Sequence, residues 1–182
     1  MTYRIRPAGL QDRPALQQLI AASARVLSAG DYLPEQVEAA LRGTFGVDSQ
    51  LILDGTYLLV ESNAGIADHG IAGCGGWSYR RTLFGGDSGV GRDASELDPR
   101  TDPARIRAFF VHPVHARKGV ATLLLEHCEQ AARARGFRRV ELMATLPGVR
   151  LYAARGYRGE SQVSYEVSAG VAIEFVPMSK AL

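Results

Sequence analysis

The 182-residue chain predicts a mixed α/β fold, with a sheet of about seven strands flanked by about four helices. Three observations carry this reading. Short alternating runs near both ends of the chain have the period of strands, the stretches between them place apolar residues at helical spacing, and an apolar strand runs straight into a cationic turn and a helix at residues 109–126. With 46% apolar residues, the chain can bury one substantial core, so a single domain over residues 1–182 is expected.

Taken in order, Tyr3-Arg4-Ile5-Arg6-Pro7 alternates as a first strand. Asp12 is placed to cap a helix that turns Leu16, Leu19 and Ile20 inward, with Val26 and Leu27 continuing the stripe. Pro34 opens a second helix through Val37 and Leu41. Residues 57–61 and 70–77 read as two strands joined by the turn-rich residues 62–69, and they are expected to pair as a hairpin. Residues 79–105 break the pattern, being rich in Gly, Asp, Ser, Arg and Pro with hardly any apolar residue after Phe84. Loops this long are commonly functional or disordered, so the segment is expected to be either a mobile substrate-side lid or a floppy insertion.

The central strand, residues 105–112, comes next. After the turn, Val120, Leu123, Leu124, Cys128 and Ala131 recur at helical spacing, with Glu126, Glu129, Gln130 and Arg133 on the other face, and Gly136 closes the helix. Residues 139–143 form another strand. Beyond Tyr157, residues 161–167 and 171–176 read as a hairpin across Ser168-Ala169-Gly170.

The strand-turn-helix at the centre has the makings of an anion site. The first amides of a helix lack intrahelical partners and the aligned peptide dipoles leave that end partly positive, so a phosphate can lie against residues 117–122. Gly119 and Ala121 keep the approach free of bulk. The plain alternative is an ordinary strand-turn-helix with basic surface residues. Other phosphate motifs fit less well. Lys118 precedes Gly119 and not Ser or Thr, so the P-loop template fails, and Gly89-Val90-Gly91-Arg92-Asp93-Ala94 lacks the flanking strand and helix of a dinucleotide fingerprint.

A second element lies about thirty residues on, at Leu151-Tyr152-Ala153-Ala154-Arg155-Gly156-Tyr157. Together with Ala116-Arg117-Lys118-Gly119-Val120-Ala121 it resembles the GNAT acetyltransferase superfamily. There, a pyrophosphate loop of the form Arg/Gln-x-x-Gly-x-Gly/Ala is followed by a helix carrying (Phe/Leu)-Tyr-x-x-x-Gly-(Phe/Tyr). The resemblance covers residues 105–160 closely and implies a mostly antiparallel sheet. Two positions depart from the pattern. Ala116 stands where Arg or Gln is usual, and Thr145 stands where an Asn often precedes the tyrosine by seven residues.

The resemblance implies an acyltransferase that moves an acetyl group from acetyl-CoA to a primary amine without a covalent enzyme intermediate. Phe110, Val111 and His112 on the central strand would meet the pantetheine and thioester, with a backbone amide stabilising the oxyanion. Residues Arg117, Lys118, Gly119, Val120, Ala121 and Thr122 would cradle the pyrophosphate, with Thr145 nearby. Tyr152 matches the tyrosine that protonates the departing sulfur. Its plain reading is a core aromatic. The general base is unassigned: His112, Glu61 and Glu174 are candidates, a water chain is another, and the central strand carries no carboxylate. A non-catalytic acyl-CoA sensor of the same fold is the alternative. A serine hydrolase using Ser88 in Gly86-Asp87-Ser88-Gly89 is a weaker rival, because the strands and the histidine that such a site requires are not in place upstream.

A net charge of +2, with basic residues spread along the chain, argues against nucleic acid. His112 and His115 have no further ligand cluster near them, so no metal is expected. Cys74 and Cys128 sit in a strand and a helix face and read as reduced core residues, and no long apolar run points to a membrane; a cytoplasmic protein is expected. The acceptor is a small-molecule or peptide amine, with Trp77, Tyr79 and Phe84 able to line its pocket, and a homodimer is compatible with the resemblance.

Overall fold

The computed structural model describes residues 2–63, 70–89 and 91–182. In chain order the elements are β1 (Tyr3–Pro7), α1 (Arg13–Leu27), α2 (Pro34–Leu41), α3 (Ser49–Leu53), β2 (Tyr57–Ser62), β3 (Ile71–Ser78), β4 (Ala104–Val111), α4 (Val120–Ala134), β5 (Arg139–Thr145), α5 (Val149–Ala154), β6 (Arg158–Gly159), β7 (Val163–Ser168) and β8 (Val171–Ala181). The strands form one eight-stranded sheet in the order β1-β2-β3-β4-β5-β8-β6, and β7 also pairs with β8. The expected hairpin of β2 and β3 is present; six of its eight connecting residues, 64–69, lie outside the described residues.

Every pairing is antiparallel except that of β4 with β5, which α4 connects as a crossover. That single parallel pair is also the shortest contact in the middle of the sheet. Only Ala104 with Val140 and Arg105 with Glu141 are in register, and beyond them the strands part. β5 instead pairs along its whole length with β8.

The core lies on both faces. Under α1 and α2 it gathers Leu16, Ile20, Leu51, Tyr57 and Phe175, and under α4 and α5 it gathers Cys128, Phe137, Val140, Leu142 and Tyr157. Fully buried leucines such as Leu16 and Leu124 each contribute about 1.5–3 kcal/mol relative to exposure. Both cysteines are buried and free.

Several local expectations are corrected. Asp12 precedes α1, but its carboxylate accepts from the Gly9 amide (2.8 Å) and from Arg6 (2.8 and 2.9 Å), so it caps the turn before the helix. Val26 is exposed, because it falls off the buried stripe of Leu16, Leu19, Ile20, Ser23 and Ala24. Glu129 on α4 is buried. Wedged under β8, it accepts from the Tyr157 hydroxyl (2.9 Å) and Lys180 Nζ (2.7 Å), which offset the cost of burying its charge. The five-residue α3 has too few residues to show a period.

The largest correction concerns residues 79–105, which the structure ties to its neighbours. Arg80 grips Asp54 with Nε and Nη2 (2.6 and 2.8 Å) and donates to the Ala94 carbonyl (2.7 Å). Backbone bonds link Arg81 to Ser95, Thr82 to Asp93 and Leu97 to Tyr79. Below them Asp48, fully buried, faces Arg92 Nη2 at 2.8 Å and Arg107 Nη2 at 2.6 Å. Arg92 also donates to the carbonyls of Gly85 and Gly86. Polar residues that suggest a free loop are here bonded, several of them to Asp48, Ser49 and Asp54 outside the segment.

Candidate active site

A cleft of about 650 Å³ opens where β4 and β5 part. Two features of β4 shape it. Gly75 on β3 faces two residues of β4, because the register moves from Cys74 with Phe110 to Gly76 with Arg107. Ala108 takes up the extra residue with φ 56°, a left-handed conformation that a non-glycine residue adopts only where its surroundings hold it. The surroundings do hold it: the Ala108 carbonyl accepts from the Tyr57 hydroxyl at 3.3 Å. A Cβ on Gly75 would stand 2.7 Å from the Phe109 ring, so glycine is required opposite the bulge.

The second feature is the end of the strand. Arg117 (φ 61°) and Gly119 (φ 86°) are both left-handed, and alternating such residues with ordinary ones turns successive amides toward one concave side. The first helical bond of α4 runs from Leu123 N–H to the Gly119 carbonyl (2.9 Å). The amides of Val120, Ala121 and Thr122 therefore precede the ladder and have no helical acceptor. A Cβ built on Gly119 meets nothing within 4 Å, so an anion has room to approach.

Of the residues singled out from sequence, the cleft is lined by Phe110 and Val111 from β4, by Arg117, Gly119, Val120, Ala121 and Thr122 from the turn and helix, and by Thr145 and Tyr152. His112 and Lys118 do not line it. The backbone N–H of His112 is bonded to the Ala72 carbonyl (2.9 Å) and its Nδ1 accepts from the Val114 amide (3.4 Å). Lys118 is exposed on the outside of the turn. His115 lines the cleft instead, with Nδ1 3.0 Å from the Tyr3 hydroxyl; burial, and then the charge of Lys118, hold its pKa below the usual value.

Tyr152 is 8% exposed, its ring edge-on to Phe109 (6.4 Å between centroids) and Tyr157 (5.6 Å). Burial, followed by the neighbouring Cys128, pushes its pKa above the ordinary phenol value. Val111 brings a surprise. Its N–H donates to Ser23 Oγ of α1 at 3.2 Å, so the amide that the sequence offers to a thioester already has a partner. Ser23 was legible as a hydroxyl interrupting the buried stripe of Leu16, Leu19 and Ile20, one turn beyond its last leucine-type member.

Glu61 and Glu174 do not line the cleft; Glu61 is paired with Arg6 at 2.7 Å. Asp31, in the turn between α1 and α2, is the one carboxylate among the described residues that line it. Of the three aromatics considered for an acceptor pocket only Phe84 is there, since Trp77 packs on Phe137 and Tyr79 lies under Arg135. Ser88 is exposed, and the depression it lines contains no histidine among the described residues. His69, the one histidine upstream of Ser88 in the sequence, lies outside the described residues.

A family model described as "Acetyltransferase (GNAT) family" matches residues 31–157. The chain belongs to the GNAT acetyltransferase family. Solved structures agree on the fold. A GCN5-related N-acetyltransferase from Rhodopseudomonas palustris is 22% identical with a TM-score of 0.72, the match covering 100% of this chain and 97% of that one. The PaiA N-acetyltransferase of Thermoplasma acidophilum, in complex with coenzyme A, is 16% identical with a TM-score of 0.65 and 100% coverage of both. The ribosomal-protein-S18-alanine N-acetyltransferase of Escherichia coli is 13% identical with a TM-score of 0.60, covering 99% of this chain and 94% of that one. At these identities the likeness establishes the fold alone. No protein of curated function matches this chain in sequence. No helix among the described residues is long and apolar enough to cross a membrane.

Proposed function

We propose that the protein transfers the acetyl group of acetyl-CoA to a primary amine by direct attack. The lone pair of the neutral amine forms a bond to the thioester carbon, the carbonyl becomes an oxyanion, the nitrogen loses a proton to water, and the C–S bond then breaks to release CoA and the amide. The pyrophosphate lies on the amides of residues 117–122, drawn by Arg117 and the helix end, and the pantetheine follows β4 past Phe110 and Val111. Tyr152 gives its proton to the sulfur as the bond breaks and takes one back from water. Thr145, which lines the cleft beside this tyrosine, contributes a hydroxyl to the same wall.

The observation that carries the reading is the meeting of two things in one cleft: helix amides without helical acceptors, and the side chain of Tyr152 on the same wall. A binding protein needs only the first. The test is thiol release from acetyl-CoA with a panel of primary amines, with the acetylated product identified by mass. Stoichiometric thiol and amide are expected. Binding of CoA without release of thiol for any amine would point to a sensor instead, and absence of CoA binding would overturn both readings.

A further inference from the structure

Past the parting of β4 and β5 the cleft continues into a chamber floored by rings. Phe45, Phe84, Phe110 and Phe175 all line it, and they hold one another: Phe45 stands edge-on to Phe110 (5.9 Å) and Phe175 (6.5 Å), and Phe84 leans on Phe175 at 5.4 Å. Phe45 and Phe175 are buried, while Phe84 and Phe110 are half-buried and turn their remaining surface to the cleft. A second set of contacts, Phe84 on Tyr165 at 4.9 Å, fixes Phe84 from behind.

The charges sort by position. Arg117 and Arg150 belong to the turn and to α5, on the side where a phosphate would lie, and Asp31 stands on the turn between α1 and α2 with no other carboxylate lining the cleft among the described residues. Arg107 also reaches the chamber, but its side chain is only 2% exposed, with Nη2 on Asp48 (2.6 Å) and the Gly85 carbonyl (2.7 Å) and Nε buried without a partner among the described residues. The accessible side chains of the chamber are therefore rings and one carboxylate, which suit a cation with an apolar body.

Building on the acetyl-transfer reading, we infer that the acceptor is a monoamine carried on an aromatic or branched apolar body without a carboxylate. Asp31 draws the ammonium form toward the cleft, where it loses a proton to water before attack, and the body packs against Phe84 and Phe110.

The test compares phenethylamine with phenylalanine, which adds a carboxylate, and with spermidine, which replaces the ring with further charge. Each is titrated by calorimetry into the protein saturated with CoA and assayed separately with acetyl-CoA. Phenethylamine should exceed both others in affinity and in kcat/KM by about tenfold or more, the value of one well-placed apolar contact. Asp31→Asn should raise its KM several-fold at low salt and little at high salt. Phe84→Ala should erase most of the preference; Phe84→Leu, which keeps the apolar fill if the alanine variant proves unstable, should lower it for the aromatic amine but not for a branched alkyl amine. Phenethylamine that binds but releases no thiol would sink the acetyl-transfer reading and keep the ligand class. Preference for spermidine or phenylalanine, or no binding of phenethylamine, would overturn the inference whatever the fate of that reading.

Discussion

One wall of the cleft comes from a nearly continuous stretch, β4 with the turn and α4 that follow it, completed by α5. The opposite wall is gathered from α1, the α1–α2 turn, Phe45, residues 84–86 and Phe175 of β8. The first wall works largely through its backbone, using amides at a helix end and a bulge that redirects a strand. The second works through side chains brought from distant parts of the chain. A backbone-built wall tolerates changes of side chain but not of conformation, and for a wall of side chains the reverse holds.

The largest expected effect tests how the second wall is held. Asp48→Asn keeps the acceptor that caps α3, where Asp48 receives the Gln50 and Leu51 amides, but removes the charge between Arg92 and Arg107. Burial already pulls the Arg107 pKa down to about 10 against the pull of Asp48, and breaking a buried pair by removing one partner costs about 3–5 kcal/mol. Chemical denaturation should show a loss of that size, and amide exchange in residues 79–105 should accelerate. A loss below about 1 kcal/mol would mean that this ion group does not brace the wall and that surface pairs of ordinary weight hold the loop.

This contrast also explains what was readable in advance. Arg117, Gly119 and Tyr152 could be found because local spacing encodes a helix start and a helix face. Asp31, Phe45 and Arg107 could not: Asp31 matters only through the cleft it lines, and the other two through partners dozens of residues away, the Phe45 ring needing Phe175 and Arg107 needing Asp48. The same blindness made residues 79–105 look mobile, because a count of apolar residues ignores arginine–aspartate pairing. Glu129 was placed on the wrong face of α4 for a related reason, its partners Tyr157 and Lys180 being remote in sequence.

Next in size is the chemistry at the first wall. If Tyr152 protonates the leaving sulfur, Tyr152→Phe keeps both ring contacts, leaves CoA affinity nearly intact and lowers kcat by roughly a hundredfold. A drop of only a few-fold would assign the proton to water, and wild-type turnover would make the residue a packing aromatic. Gly119→Val is expected to do the opposite, weakening CoA binding by about tenfold, or about 1.4 kcal/mol. The valine meets no clash, since the space is open; the loss comes from a β-branched residue refusing φ 86° and so re-aiming the amides. Unchanged affinity in calorimetry would remove the anion site from this turn.

The smallest effect lies where the two walls touch, at Ser23 of α1 and Val111 of β4. If the Val111 amide receives the thioester carbonyl, the Ser23 hydroxyl must give up its 3.2 Å bond each time acetyl-CoA enters. Ser23→Ala removes that competitor. A neutral hydrogen bond is worth about 0.5–1.5 kcal/mol net, so the variant should bind acetyl-CoA up to several-fold more tightly while losing about as much in folding stability. CoA lacks the carbonyl and gains nothing, which makes it the internal control: the ratio of the two affinities should shift toward acetyl-CoA. Equal changes for both ligands would mean that Ser23 keeps its bond in the complex, and that the oxyanion is met by some amide other than that of Val111.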